Sequence, residues 1–141
     1  MRRLFGEAHG SAAVEFAILV PVLALLLASL SDVSNLIGVA LIVNNAAREG
    51  ARAAIAYDSS WSAKVTDYLS GAGVTSAKGE AVGTVTCAAC SPFPPPAGTT
   101  VEVHVPVTVS INMPILQNVV GTCSNGKCTV VITGSATMEM L

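Results

Sequence analysis

Between Glu15 and Asp32 no charge interrupts the chain, and apolar side chains fill nearly every position from Phe16 to Leu30. As a helix, residues 11–31 are long enough to cross a hydrocarbon core of roughly 30 Å. Beyond Asp32 the pattern becomes amphipathic. Leu36, Ile37, Val39, Ala40, Leu41, Ile42, Val43, Ala46 and Ala47 keep an apolar face, and Asp32, Ser34, Asn35, Asn44, Asn45, Arg48, Glu49 and Arg52 supply polar positions. The spacing predicts one helix over 11–57, roughly 70 Å long at 1.5 Å per residue, more than twice the membrane thickness. Its outer half must therefore pack on something. Pro21 removes one backbone hydrogen bond inside the apolar run and predicts a kink or a loosened turn there.

Asp58-Ser59-Ser60 offers helix caps, and Trp61, Val65, Tyr68 and Leu69 then fall on one face of a short helix ending at Gly71 or Gly73. After Gly73 the period changes from 3.6 to 2. Glu80 to Cys87 reads as a first strand, although Gly83 interrupts its alternation. Thr100 to Ser110 is the clearest strand: Val101, Val103, Val105, Val107 and Val109 point one way, and Glu102, His104, Pro106, Thr108 and Ser110 the other. Pro106 cannot donate to a ladder, so this strand is an edge or carries a bulge. Thr129 to Met138 repeats the alternation, with Val130, Ile132, Ala136 and Met138 on the apolar face. One buried and one wet face imply an antiparallel sheet, covered by the outer half of the long helix and the Trp61 helix. The fold class expected is α+β: a long N-terminal transmembrane helix continuing outside the membrane onto a small antiparallel β-sheet domain. Two connections remain, the proline-rich surface loop from Ser91 to Gly98 and the apolar stretch from Ile111 to Gly121, broken by Pro114. The second either folds back onto the core or stands exposed for a partner.

Composition adds direction. The chain has 141 residues, 52% hydrophobic and only 11% charged, with the apolar excess in its first third. That leaves room for one membrane segment and one small domain. A formal charge of -2 offers no basic footprint for nucleic acid. Arg2 and Arg3 precede the apolar run and no Lys or Arg follows it until Arg48, so the N-terminus should be cytoplasmic and the C-terminal part outside. An ordinary secretory signal peptide fits poorly, because the run exceeds a 7–15-residue apolar core and no small-x-small cleavage site closes it.

The four cysteines then face an oxidising compartment. In Cys123-Ser124-Asn125-Gly126-Lys127-Cys128 the Asn-Gly pair is a strong hairpin signal, placing Ser124 opposite Lys127 and Cys123 opposite Cys128. A Cys123–Cys128 disulfide is expected, and Cys87 and Cys90 are left to each other, although four cysteines allow three connectivities. The alternatives are a four-cysteine zinc site and a thioredoxin-like CxxC. Oxidation competes with metal loading outside the membrane, and a redox CxxC normally opens a helix rather than preceding a proline-rich loop. No cofactor, metal or catalytic group is assigned: His9 lies ahead of the apolar run, and His104 stands alone on a polar strand face.

Glu15 is the odd residue of the apolar run, since a carboxylate in a membrane helix costs roughly 2.5–3.5 kcal/mol unless paired or protonated. A cut after Gly10 would make Ser11 the first residue and place its ammonium about one helical turn from Glu15. The short basic leader ending in Gly10, the small Ser11, Glu15 at the fifth mature position and the apolar helix resemble a type IV prepilin or pseudopilin. Phe16 directly after Glu15 resembles the Glu-aromatic pair of the tight-adherence (Flp) branch. Asn45-Ala46-Ala47-Arg48-Glu49-Gly50-Ala51-Arg52 is similar to the segment after the helix in TadE-like pilus assembly proteins. Major type IV pilins usually begin with a methylated Phe, and Ser11 departs from that pattern.

The resemblance implies a minor pilin or pseudopilin of a tight-adherence pilus, held in the bacterial inner membrane and structural rather than enzymatic. Its leader, residues 1–10, would be cut by a prepilin peptidase between Gly10 and Ser11. Residues 11–57 would form the helix and 58–141 the extracytoplasmic domain, stapled by its disulfides. Removing the leader takes away Arg2, Arg3 and Glu7, a net +1, and leaves a charge of -3. Other pilin subunits and the inner-membrane assembly platform are the implied partners, with Glu15 and Phe16 setting helix register. Arg48, Glu49 and Arg52 form a second candidate contact: Glu49 and Arg52 can pair at i,i+3, and Arg48 and Arg52 share a stripe that favours an acidic partner. The competing reading is an uncleaved, membrane-anchored binding module using the Pro114 loop or the polar strand face.

Overall fold

The computed structural model describes residues 7–75, 80–91, 93–111, 122–124 and 127–140. Two helices, α1 (Glu7–Ile55) and α2 (Trp61–Gly71), precede five strands: β1 (Ala81–Val82), β2 (Thr86–Ala88), β3 (Thr100–Ile111), β4 (Thr122–Ser124) and β5 (Lys127–Glu139). The class is α+β. α1 is 49 residues long, about 73 Å at 1.5 Å per residue, and runs through Pro21 as one element.

Tyr57 ends α1. Its φ of 61° lies in the left-handed region, and the chain there closes as a Schellman turn: the Asp58 N–H donates to the Ala53 carbonyl at 3.0 Å and the Tyr57 N–H to Ala54 at 3.3 Å. Asp58 then folds the chain into α2, its Oδ1 accepting the Ser60 N–H at 2.8 Å and the Ser60 hydroxyl at 2.6 Å. In α2 the apolar face narrows to Val65 and Leu69, which are buried, with Trp61 partly covered; Tyr68, expected on the same face, is exposed.

β3 is the centre of the sheet, not its edge. β5 pairs with it antiparallel along its whole length, from Thr100 opposite Glu139 to Ile111 opposite Cys128, while β1 and β2 line its other side. The valines at 101, 103, 105, 107 and 109 are all sealed in the core.

Pro106 explains how an interior strand tolerates a proline. The Gly83 N–H donates to the Pro106 carbonyl at 2.8 Å, so that carbonyl faces the β1–β2 side. In an extended strand a residue's N and C=O point the same way, so the missing Pro106 donor faces that side too, and the ladder to β5 loses nothing. The expected strand from Glu80 to Cys87 breaks there instead. Ala81 lies opposite Thr108 but Thr86 lies opposite His104, so five steps of one strand span four of the other. The extra residue is a bulge, and it sits on the partner strand opposite the proline.

The helices cover one face of the sheet. The core-facing residues of α1 are Val39, Val43, Ala46, Ala47, Gly50, Ala51 and Ala54, small side chains at helical spacing that let the helix lie close. At the closest point a Cβ on Gly134 of β5 would stand 2.6 Å from the Val43 carbonyl oxygen, so helix backbone rests on strand backbone where only glycine leaves space. Gly50 does the same for α2, its missing Cβ making room for the Val65 side chain. The loop from Ser91 to Gly98 is at the surface apart from Pro95, with Pro92 outside the described residues. The Pro114 stretch, residues 112–121, also lies outside them.

Candidate assembly site

α1 has two unlike halves. From Ala12 to Ala28 every residue is exposed, including the large apolar side chains of Phe16, Leu19, Leu23, Leu26 and Leu27. Phe16 is 68% exposed, and none of this stretch touches the sheet or α2 in the core. The helix that contains it is long and apolar enough to cross a membrane. From Val39 onwards the same helix is half buried. A helix apolar on all sides and left bare suits a uniform apolar surrounding, whereas the second half reads as a normal amphipathic helix on a core.

The sequence-predicted site residues fall into three separate groups. Gly10 and Ser11 lie near the start of α1, with Glu15 one turn further along and exposed. Arg48 and Arg52 lie about 50 Å up the helix from Glu15, exposed on the side away from the sheet. Among the described residues neither makes an ion pair, and the Glu49–Arg52 pair that the spacing allows is not formed. Glu49 is half-buried, and its charge reaches Lys64 of α2. Lys64 is bound to Asp58 at 2.7 Å. That hydrogen bond and Asp58's charge raise the Lys64 ammonium above its ordinary pKa, with Glu49 adding to the effect. The Lys64 ammonium, then the Ser60 hydroxyl and N–H, hold the Asp58 carboxyl well below the usual carboxylate range.

The cysteines form the third group. Disulfides join Cys87 to Cys90 and Cys123 to Cys128, leaving no free thiol. In the β4–β5 hairpin Ser124 faces Lys127 and Cys123 faces Cys128, the register expected from the sequence; Asn125 and Gly126 lie outside the described residues. Cys87 is opposite Val103 and Cys128 opposite Ile111, eight residues apart along β3 and on opposite sides of it. At about 3.3 Å per residue that is about 26 Å, far too great for one zinc ion to collect all four sulfurs. Cys87 belongs to a strand, so this CxxC does not open a helix as a redox pair does.

Two residues with structural roles escaped the sequence reading. Gly134 sits on the buried face of β5, between Ile132 and Ala136, and a glycine at an inward position facing an alanine-rich helix was a usable signal. Glu80, assigned to a strand, is buried and closes the turn before β1: its carboxylate accepts the Thr75 N–H at 3.2 Å and its own N–H donates to the Thr75 carbonyl at 3.3 Å. Ile37 and Leu41, expected on the apolar face of the outer half, are instead 57% and 62% exposed on the outer side of α1, because the sheet receives only the side bearing Val39, Val43 and Ala47.

The segment that joins these groups along one helix, from the glycine before Ser11 to the second exposed arginine, is also the one that comparison picks out. Residues 10–52 match the TadE-like protein family. The TadE-like segment covers the bare half of α1 and most of its packed half, and it stops before α2 and the sheet. No curated protein and no solved structure matches the chain. The match covers less than a third of the chain, and the helix on which it lies is long and apolar enough to cross a membrane.

Proposed function

We propose that this chain is a minor pilin or pseudopilin of a tight-adherence pilus. It is made as an inner-membrane precursor with a cytoplasmic N-terminus, and a prepilin peptidase removes residues 1–10 between Gly10 and Ser11. Residues 11–57 form the assembly helix, with 11–31 in the membrane, and residues 58–141 the extracytoplasmic domain. The observation that carries the reading is the division of α1 within a TadE-like segment: a bare apolar half, continuous with a half fixed to a disulfide-stapled sheet.

The mechanism is structural. Contacts between the bare half and neighbouring pilin helices replace its contacts with lipid. Apolar packing alone leaves axial slip inexpensive, and Glu15 supplies the register by pairing with a Ser11 ammonium of its own or a neighbouring chain. The rigid attachment of the upper half then makes the sheet domain follow wherever the helix is set.

N-terminal sequencing and intact mass of the protein extracted from membranes, with and without the prepilin peptidase, test this. A Ser11 start that requires the peptidase is the expected result. A Met1 start in both strains overturns it, and favours the uncleaved anchored module, which keeps the same helix but has no ammonium for Glu15.

A further inference from the structure

The outer side of α1 carries a stripe that the sheet does not use. Phe16, Leu23, Leu30 and Ile37 follow one another at intervals of seven, a line that stays on one side of a helix meeting another helix. Leu41, Arg48 and Arg52 continue it on the side opposite the buried Val43, Ala47, Gly50 and Ala54. Ile37 is 57% exposed, Leu41 62%, and both arginines are exposed.

Height above the membrane excludes lipid as the cover. With residues 11–31 filling the hydrocarbon layer, Leu41 stands about 15 Å and Arg48 about 25 Å beyond it, and an average tilt near 20° shortens these distances by less than a tenth. Headgroups occupy about 5–7 Å of that height. Arg48 is thus about two screening lengths from the nearest phosphate at physiological salt, where the screening length is about 8 Å. Leu41 faces water, not acyl chains.

A second copy in register is excluded by charge. Two parallel copies related by a two-fold axis along the membrane normal would set Arg48 and Arg52 against their own counterparts. The one acid between them, Glu49, is half-buried and sits about 100° around the helix from Arg48, off the stripe. Four guanidinium groups would meet with no carboxylate on the stripe.

We propose that this side of α1 is the docking face for the helix of a different single-pass membrane subunit. That helix has an apolar stripe against Leu23, Leu30, Ile37 and Leu41, and carboxylates one to three turns higher, against Arg48 and Arg52. The proposal rests on the membrane placement in the pilin reading, but not on leader cleavage. The apolar part supplies contact that begins inside the bilayer and continues beyond it, and the arginines select the partner and fix its height.

The test places the photo-crosslinker p-benzoylphenylalanine at Leu41 of the full chain, in membranes of cells assembling the pilus, with Val131 on the exposed sheet face as the control site. The expected result is a Leu41 adduct with a different polypeptide, whose cross-linked peptide lies in or just above its membrane helix within three turns of Asp or Glu. Arg48→Glu with Arg52→Glu should lower its yield by about tenfold or more, the scale of close charge pairs at interfaces. Reversing the partner's acids to Lys should restore it, which separates lost pairing from lost folding. An adduct with a second copy only, an adduct with lipid, no adduct at Leu41, or an adduct indifferent to charge reversal overturns the proposal. N-terminal sequencing of the same samples separates the two readings. A Ser11 start without the mixed adduct defeats the docking face alone, and a Met1 start with it defeats leader processing alone.

Discussion

The two halves of α1 share one backbone geometry and differ in what their side chains permit. In the lower half Leu, Ile, Val and Phe project on all sides, and no single direction is favoured. In the upper half one side is reduced to Ala, Gly and Val and the other carries Asn and Arg. The reduction matters more than the polarity. Bulky side chains hold neighbouring elements at 8–10 Å, whereas the small side of the upper half allows its backbone at Val43 to rest on Gly134. A helix that must exchange one neighbour for another keeps large, interchangeable contacts; a helix that must never leave its sheet has a shape only that sheet fits.

Glu15→Ala gives the sharpest separation of the halves. It removes the register group from the lower half and touches nothing in the upper one, so pilus assembly should be abolished while membrane insertion and the melting temperature of the sheet domain stay as they were. Piliation counted by microscopy and insertion by membrane fractionation check it. Normal piliation would show that apolar contact alone sets the register.

Gly134→Ala attacks the other half. Its Cβ would stand 2.6 Å from the Val43 carbonyl oxygen, a backbone atom that cannot swing away, so helix and strand must separate. Overpacking of this kind costs about 1–3 kcal/mol, and the upper value is expected because no flexible side chain absorbs the clash. Chemical denaturation of the disulfide-intact protein in detergent reads the loss. The comparison with Gly38→Ala sharpens it: nothing lies within 4 Å of a Cβ there, and alanine in a helix interior should raise stability by about 0.5–1 kcal/mol. Equal effects at the two glycines would mean that the close approach at Val43 does not hold the halves apart in role.

How far all this could be read beforehand follows from where each signal resides. The helix, its bare half, the valine alternation of β3 and the Cys123–Cys128 register are written in periods and turn residues over a few neighbours, and they were legible. Pro106 was read correctly as a missing donor, but its consequence falls on another strand, 23 residues away at Gly83. A local pattern could not say which side of β3 the donor would have faced. The same limit hid Gly134, whose meaning depends on Val43 across the sheet-helix interface. Tyr68 was misplaced because the apolar face of α2 is only as wide as the groove that receives it. Of the candidate contacts, the exposed Arg48–Arg52 stripe was legible as helical spacing, whereas the partial burial of Glu49 required the rest of the domain to be in place.

The smallest expected effect concerns the turn that joins the upper half of α1 to α2. Asp58 is the shared acceptor there, held ionised first by Lys64 and then by Ser60, so its folded pKa lies below its unfolded value near 3.9. Its contribution to stability is therefore complete above that unfolded value and is lost as pH falls toward the folded one. Lys64, raised in the folded state, contributes fully below its unfolded value near 10.4 and loses that contribution as pH rises beyond it. Both groups face solvent, and salt and water screen the pair, so the effect on melting temperature should be slight. Lys64→Met should remove this pair's alkaline contribution and leave a residual acidic one, because Ser60 still donates to Asp58 from its N–H and its hydroxyl. Melting curves between pH 2 and 5 for the wild type and this variant decide the point. An acid transition that Lys64→Met leaves unchanged would assign the turn to the Ser60 hydrogen bonds alone, and the upper half of α1 would then owe its attachment to packing without help from charge.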